Sequence, residues 1–169
     1  QGDTLLVAVW FISVVVSIPV WYKVIAKLGN QKVMLIGLLS SAVCGLVPLF
    51  VSELYGALVC MVLLGVSMSA SFLTLMLMFA DSVDEASLDA QKRLEGLYTG
   101  VFVFFDRLGY IFQTFIFTVV HLITRFDAKA EIISPQAKAG IVASFTWIPA
   151  LGLFLAAYLV WKQYDLNKD

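Results

Sequence analysis

The chain has 169 residues, of which 61% are hydrophobic and 14% charged, and its mean hydropathy is +0.93. A soluble domain is about half apolar and about a quarter charged, so this chain lacks the polar surface to coat a globule in water and reads as a polytopic integral membrane protein. A formal net charge of -1, with no basic run, argues against nucleic acid as a partner and leaves the lipid bilayer as the partner that composition demands.

The chain opens at Gln1 in the polar stretch QGDT, without the basic start and short apolar core of a leader, and is expected to be a piece of a longer chain. Five apolar runs then reach the roughly 20 residues that a membrane helix needs. They cover about 4–22, 33–51, 55–79, 97–123 and 139–161, with an inner loop over 80–96. Pro19, Pro48 and Pro149 fall inside these runs, which membrane helices tolerate when neighbours re-satisfy the freed carbonyls. The runs are too long for strands, so the expected class is all-α. Cys44 and Cys60 sit in apolar surroundings without metal-ligand spacing and read as packed thiols.

Basic residues orient the runs. Lys23, Lys27 and Lys32 fall between the first two runs, Lys92 and Arg93 between the third and fourth, and Lys162 and Lys168 after the fifth. All lie on one side if the runs alternate, against Arg125, Lys129 and Lys138 on the other. The N-terminus of the chain is therefore expected outside and the C-terminus in the cytoplasm, across a plasma (cell inner) membrane. A tight outer turn, Ser52-Glu53-Leu54, joins the second and third runs. Gly29-Asn30 marks a turn in the basic inner connection KLGNQK.

The fourth run carries two adjacent charges, Asp106 and Arg107, within VFVFFDRLGYIF. A charge at mid-membrane costs about 2.5–3.5 kcal/mol on insertion scales and tends to mark a pathway. Sequence neighbours diverge around a helix, so the two do not form an ideal pair with each other. At helical spacing Thr99, Asp106 and Gln113 share one face and Gly100, Arg107 and Thr114 another, with Tyr110 between them. They form one polar stripe on a Phe-rich helix. Such a stripe binds a substrate or couples an ion across a cavity, or else locks the helix to a neighbour through a structural ion pair.

The third run carries a small polar stripe, Ser67, Ser71 and Thr74, leading to Asp81, and close helix packing is its expected role. Phe72 lies just off it. In the inner loop Asp81, Asp84, Glu85 and Asp89 precede Lys92, Arg93 and Glu95. Acids so clustered suit a salt-bridge latch or a solvated loop. They also suit magnesium and pyrophosphate in a membrane prenyltransferase, although no second acidic cluster appears. His121 is alone near the outer end of the fourth run, and no metal site is expected.

Ala80-Asp81, Asp84, Arg93, Glu95-Gly96, Arg107 and Gly109 together resemble the motif of the glycoside–pentoside–hexuronide:cation symporters of the major facilitator superfamily, the group typified by melibiose permease. The five runs resemble helices eight to twelve of that twelve-helix fold, and the tail AYLVWKQYDLNKD resembles the end of helix twelve. The resemblance implies alternating access between two six-helix halves, with a small-molecule solute such as a sugar near the midplane. It implies a coupling cation, Na+ or H+, whose site lies in the N-terminal half, no other cofactor, and that half as a partner of this chain. Arg107 stands where the group has a lysine on helix eleven near its sugar and cation sites. Phe72 stands where it has a sugar-facing tryptophan on helix ten. Asp81, Asp84, Arg93 and Glu95 stand in its cytoplasmic gating motif. Phe102 and Val103 depart from polar positions, and Glu85 departs from a common tyrosine. VFFDR also resembles the helix-eleven stretch of the sodium-dependent lysophospholipid symporters, which is the alternative within transporters. A non-transporting five-span subunit, with Asp106 and Arg107 paired to a partner protein, is the alternative from another class.

Overall fold

A computed structural model describes residues 2–50, 53–124 and 134–163. It contains helices α1 (Gly2–Leu28), α2 (Asn30–Leu46), α3 (Leu54–Ala90), α4 (Glu95–Ile123), α5 (Pro135–Phe145) and α6 (Trp147–Gln163). A single 3-10 turn, Val47–Phe50, follows α2. Among the described residues there is no strand. Thr4–Leu28, Asn30–Phe50, Tyr55–Ala90, Glu95–Ile123 and Pro135–Gln163 are each long and apolar enough to cross a membrane, so the chain is an all-α protein of five candidate spans.

Glycine and proline set several of the helix ends. Gly29 alone separates α1 from α2, at φ 81, a left-handed backbone that glycine adopts at no steric cost. Pro48 has no N–H for the Cys44 carbonyl; the Val47 N–H bonds that carbonyl instead, and the helix tightens into the 3-10 turn. Pro149 likewise has no N–H to offer Phe145, where α5 ends one residue before α6 begins. Ser134 starts α5 as its N-cap, its Oγ accepting from Ala137 N at 3.2 Å, with Pro135 in the first helical position.

The expected loop over 80–96 is mostly helix. α3 runs on to Ala90, so Asp81, Asp84, Glu85 and Asp89 are helical, and only Gln91–Leu94 connects α3 to α4. Ser52 of the outer turn, Arg125 and Lys129 of the outer connection, and Lys168 of the tail lie outside the described residues.

The chain divides into two compact units, residues 1–78 with 146–169, and residues 79–145. In the first unit α1 and α3 run parallel in close contact. A Cβ on Gly65 would stand 2.9 Å from the Ser13 Cβ, and four residues on in both helices Ser17 Oγ meets Ser69 Oγ at 2.6 Å. The Trp21 indole N–H donates to the Val66 carbonyl at 2.8 Å. α2 packs antiparallel on α3: Cys44 faces Ser67, Gly37 faces Ser71 and Met34 faces Thr74. The small polar stripe of the third run is thus a helix seam, its Ser67 and Thr74 hydroxyls donating to their own helix at Leu63 and Ala70. α6 is antiparallel to α2, with Met34, Leu38, Met78 and Ala157 forming a small core. Gln31 Nε2 donates to the Val160 carbonyl at 3.3 Å, so the start of α2 and the end of α6 share one end of the unit. In lipid such seams are held by close van der Waals packing and hydrogen bonds rather than by water exclusion.

In the second unit α4 and α5 pack near their adjoining ends. A Cβ on Gly140 would stand 2.5 Å from Thr124 Cγ2, and Phe117 meets Phe145 edge-on at 6.4 Å between centroids.

Candidate functional site

α4 is continuous from Glu95 to Ile123, so residues seven apart remain on one face. Counting about 100° per residue, Thr99, Asp106 and Gln113 form one edge of a polar arc about 120° wide, Arg107 and Thr114 the other, and Tyr110 the middle. Thr118 and His121 extend the same arc toward the far end of the helix. Val103 and Phe117 are its apolar members. Arg107 stands twelve residues after Glu95 and sixteen before Ile123, close to the middle of the span.

The groups on this arc are exposed within the unit except His121, which is half-buried, and neither Asp106 nor Arg107 forms an ion pair among the described residues. The Arg107 guanidinium lies 5.8 Å from the centre of the Tyr110 ring, one turn along, within cation–π range. Thr114 Oγ1 donates to the Tyr110 carbonyl and Thr118 Oγ1 to the Thr114 carbonyl, each at 2.9 Å. Their hydroxyl protons are thereby spent within the helix, and their oxygens are left as acceptors. His121 Nδ1 lies 2.8 Å from the Phe117 carbonyl, and its ring stacks on Phe117 at 3.9 Å. Tyr110, Thr114 and Thr118 line an open depression with Ile111 and Phe115. The arc thus combines one multi-donor cation, several oxygen acceptors and aromatic faces. That chemistry suits a polyol, whose hydroxyls both donate and accept and whose ring has an apolar face.

Phe102, which replaces a polar position in the resemblance, lies off the arc and packs on Phe79 at 4.8 Å. Phe72 lies in the first unit, on α3 beside the seam residues, and is 50% exposed. Arg107 and Phe72 thus belong to different units.

Asp81 and Asp84 stand one turn apart on the last part of α3, and Glu95 opens α4, where a carboxylate meets the positive end of the helix dipole. The connection between them has a definite geometry. The Gln91 N–H bonds the Leu88 carbonyl and the Lys92 N–H bonds the Ser87 carbonyl, with Gln91 at φ 51. This is a Schellman ending with glutamine where glycine is usual. Ser87 Oγ then accepts from Leu94 N at 3.3 Å, fastening the turn to the helix. Asp84, Ser87, Lys92 and Arg93 line an open cleft over it. Among the described residues no group of three His, Cys, Asp or Glu side chains is placed to hold a metal ion. A left-handed non-glycine residue costs roughly 1 kcal/mol. Gln91→Gly is therefore expected to raise hydrogen-exchange protection of the backbone amides at 88–92 about fivefold. Unchanged or lower protection would show that the turn is unstrained.

The spacing of seven residues revealed Asp106, Thr99 and Gln113 as one face, and Arg107 with Thr114 as the next. Thr118 and His121 fall at the same spacing, but the sequence shows His121 only as a lone histidine near the helix end and gives Thr118 no separate signal.

Five candidate spans, one of them charged and polar along a single face, mark a polytopic membrane protein. Residues 3–168 match the family described as MFS/sugar transport protein, and the chain belongs to that family of the major facilitator superfamily. It is a family of transporters rather than enzymes. No curated protein and no solved structure matches the chain.

Proposed function

We propose that the chain supplies helices eight to twelve of a secondary active transporter that couples a Na+ or H+ gradient to the movement of a sugar or related solute. The observation that carries this reading is the unbroken polar arc of α4 with Arg107 at mid-helix. A charge there is tolerated when it meets a polar cavity or a partner, and none of the described residues pairs with it. Arg107 hydrogen-bonds solute hydroxyls or balances acids of a cation site, with Asp106 and Tyr110 beside it and Phe72 offering a ring to the solute. Asp81, Asp84, Arg93 and Glu95 act at the gate, their partners changing as the transporter opens. The protein resides in the plasma membrane with the lysine-rich helix ends in the cytoplasm.

The test is uptake by the full-length protein in proteoliposomes under an imposed Na+ or proton gradient. A gradient-dependent rise of at least tenfold in the accumulation of one of a panel of labelled sugars is the expected result. Accumulation that ignores both gradients would overturn the coupling. Uptake of lysophosphatidylcholine in place of every sugar would favour the lysolipid reading, for which the aromatic flank Phe104, Phe105 and Phe112 of α4 is the supporting observation.

A further inference from the structure

We propose that the lysine-bearing end of the first unit holds an anionic phospholipid, its phosphate between Lys23 and Lys27 of α1 and its acyl chain in the groove running from them to Pro19. This site is separate from the polar arc of α4 and does not rest on the solute assigned to it.

The groove has a volume of about 350 Å3 and is lined by Pro19, Val20, Lys23, Val24 and Lys27. Its composition changes along its length. Pro19 and Val20 stand toward the middle of α1, and Lys23 and Lys27 toward its end with Val24 between them. Lys23 and Lys27 are one turn apart, so their stems rise from the same face about 5–6 Å from each other. Two ammonium groups at that spacing can both donate to the oxygens of one phosphate. The apolar floor beside them suits the upper part of an acyl chain.

Aromatic residues mark the depth of the lysines. Trp and Tyr concentrate at the membrane–water boundary. Tyr22 is exposed immediately before Lys23. Tyr158 and Trp161 are exposed near the end of α6, where Lys162 Nζ lies 5.9 Å from the Tyr158 ring centre. The Gln31 to Val160 hydrogen bond holds the start of α2, one residue beyond Gly29 and the end of α1, against the end of α6. Both aromatic groups therefore lie at one end of the unit. The boundary passes near Tyr22, which puts Lys23 at headgroup depth and Lys27 one turn further out.

Charge complementarity selects the headgroup. Lys23, Lys27, Lys32 and Lys162 share this end of the unit. A zwitterionic headgroup brings its own cation to the lysines and gains little. A headgroup with net negative charge gains from each of them.

The experiment uses the full-length protein in neutral detergent, titrated with phosphatidylglycerol and in parallel with phosphatidylcholine, and reads retained lipid by native mass spectrometry. Phosphatidylglycerol is expected to bind at least tenfold more tightly than phosphatidylcholine, and Lys23→Gln/Lys27→Gln is expected to reduce that preference to about twofold. Lys32→Gln, off the groove, is expected to preserve the preference. Val20→Trp fills the groove while leaving both lysines, and is expected to weaken phosphatidylglycerol binding severalfold. It also serves if the double variant does not fold. A preference that survives in the double variant or in Val20→Trp would overturn the site. So would one lost equally in Lys32→Gln, which would mean diffuse attraction. Competition by glycerol 3-phosphate as effective as that of the lipid would make it a soluble-phosphate site and overturn the lipid assignment.

Discussion

Valine in place of Gly65 should separate α1 from α3 and leave little folded protein. A Cβ at this position would stand 2.7 Å from the Trp10 carbonyl oxygen, 2.9 Å from the Ser13 Cβ and 3.3 Å from the Val14 nitrogen. Two of these three atoms are backbone, so no side chain can swing away to make room. The helices must part, and parting them stretches the Ser17 to Ser69 hydrogen bond and the Trp21 indole bond to Val66. Overpacking costs about 1–3 kcal/mol, and each interhelical hydrogen bond lost in a membrane adds about 0.6 kcal/mol. The expected loss is about 2–4 kcal/mol, a large part of the stability of an ordinary domain. Gly65→Ala should show the same effect in smaller measure. Adding Ser13→Gly, which removes one of the three obstacles, should recover part of it. Thermal unfolding of the purified full-length protein checks the series, and a Gly65→Val midpoint equal to that of the parent would sink the account of the seam.

Arg107→Gln should reduce solute uptake about 10- to 100-fold while leaving the unfolding midpoint where it was. Hydrogen bonds to a charged group are worth about 1.5–3 kcal/mol, and that range sets the size of the effect. Glutamine keeps a polar side chain but loses the charge and the planar fork of donors. Stability should not change, because Arg107 is exposed and makes no ion pair among the described residues. A structural ion pair would behave in the opposite way, with the midpoint falling and transport following it down. Arg107→Lys separates the two functional roles. If the cation balances a carboxylate, lysine restores most of the uptake and its ion dependence. If the fork holds solute hydroxyls, lysine restores the ion dependence alone. Uptake and cation dependence both unchanged in Arg107→Gln would remove Arg107 from the mechanism.

The five spans were legible because hydropathy reports the apolar thickness that each helix must cross. Hydropathy marks where lipid ends, however, and not where a helix ends. α3 therefore continues through the acidic segment after the apolar run has stopped. Ala86, Leu88 and Ala90 are good helix formers, and nothing between Asp81 and Ala90 breaks a helix. Its actual terminus at Gln91 gives no signal, because glutamine there occupies a backbone that glycine normally announces. Gly29 does announce its turn, and Pro149 its break. The polar face of α4 could be read from spacing because the helix is unbroken. The pairing of Ser17 with Ser69 and of Trp21 with Val66 could not, since each joins residues far apart in the chain and leaves no periodic trace.

The parallel seam also sets a timetable for biogenesis. α1 emerges from the ribosome long before its partner, since Trp21 and Val66 are 45 residues apart and Ser17 and Ser69 are 52 apart. At about 5–20 residues per second, α1 waits roughly three to ten seconds in the translocon or the lipid before α3 arrives. Ser13 and Ser17 are satisfied during the wait, because their hydroxyls bond back to Val9 and Val14 of the same helix. The Trp21 indole has no such local recourse. Its N–H must stay near the headgroups or a chaperone until the third helix inserts, which makes Trp21 the residue whose environment times the assembly of this bundle.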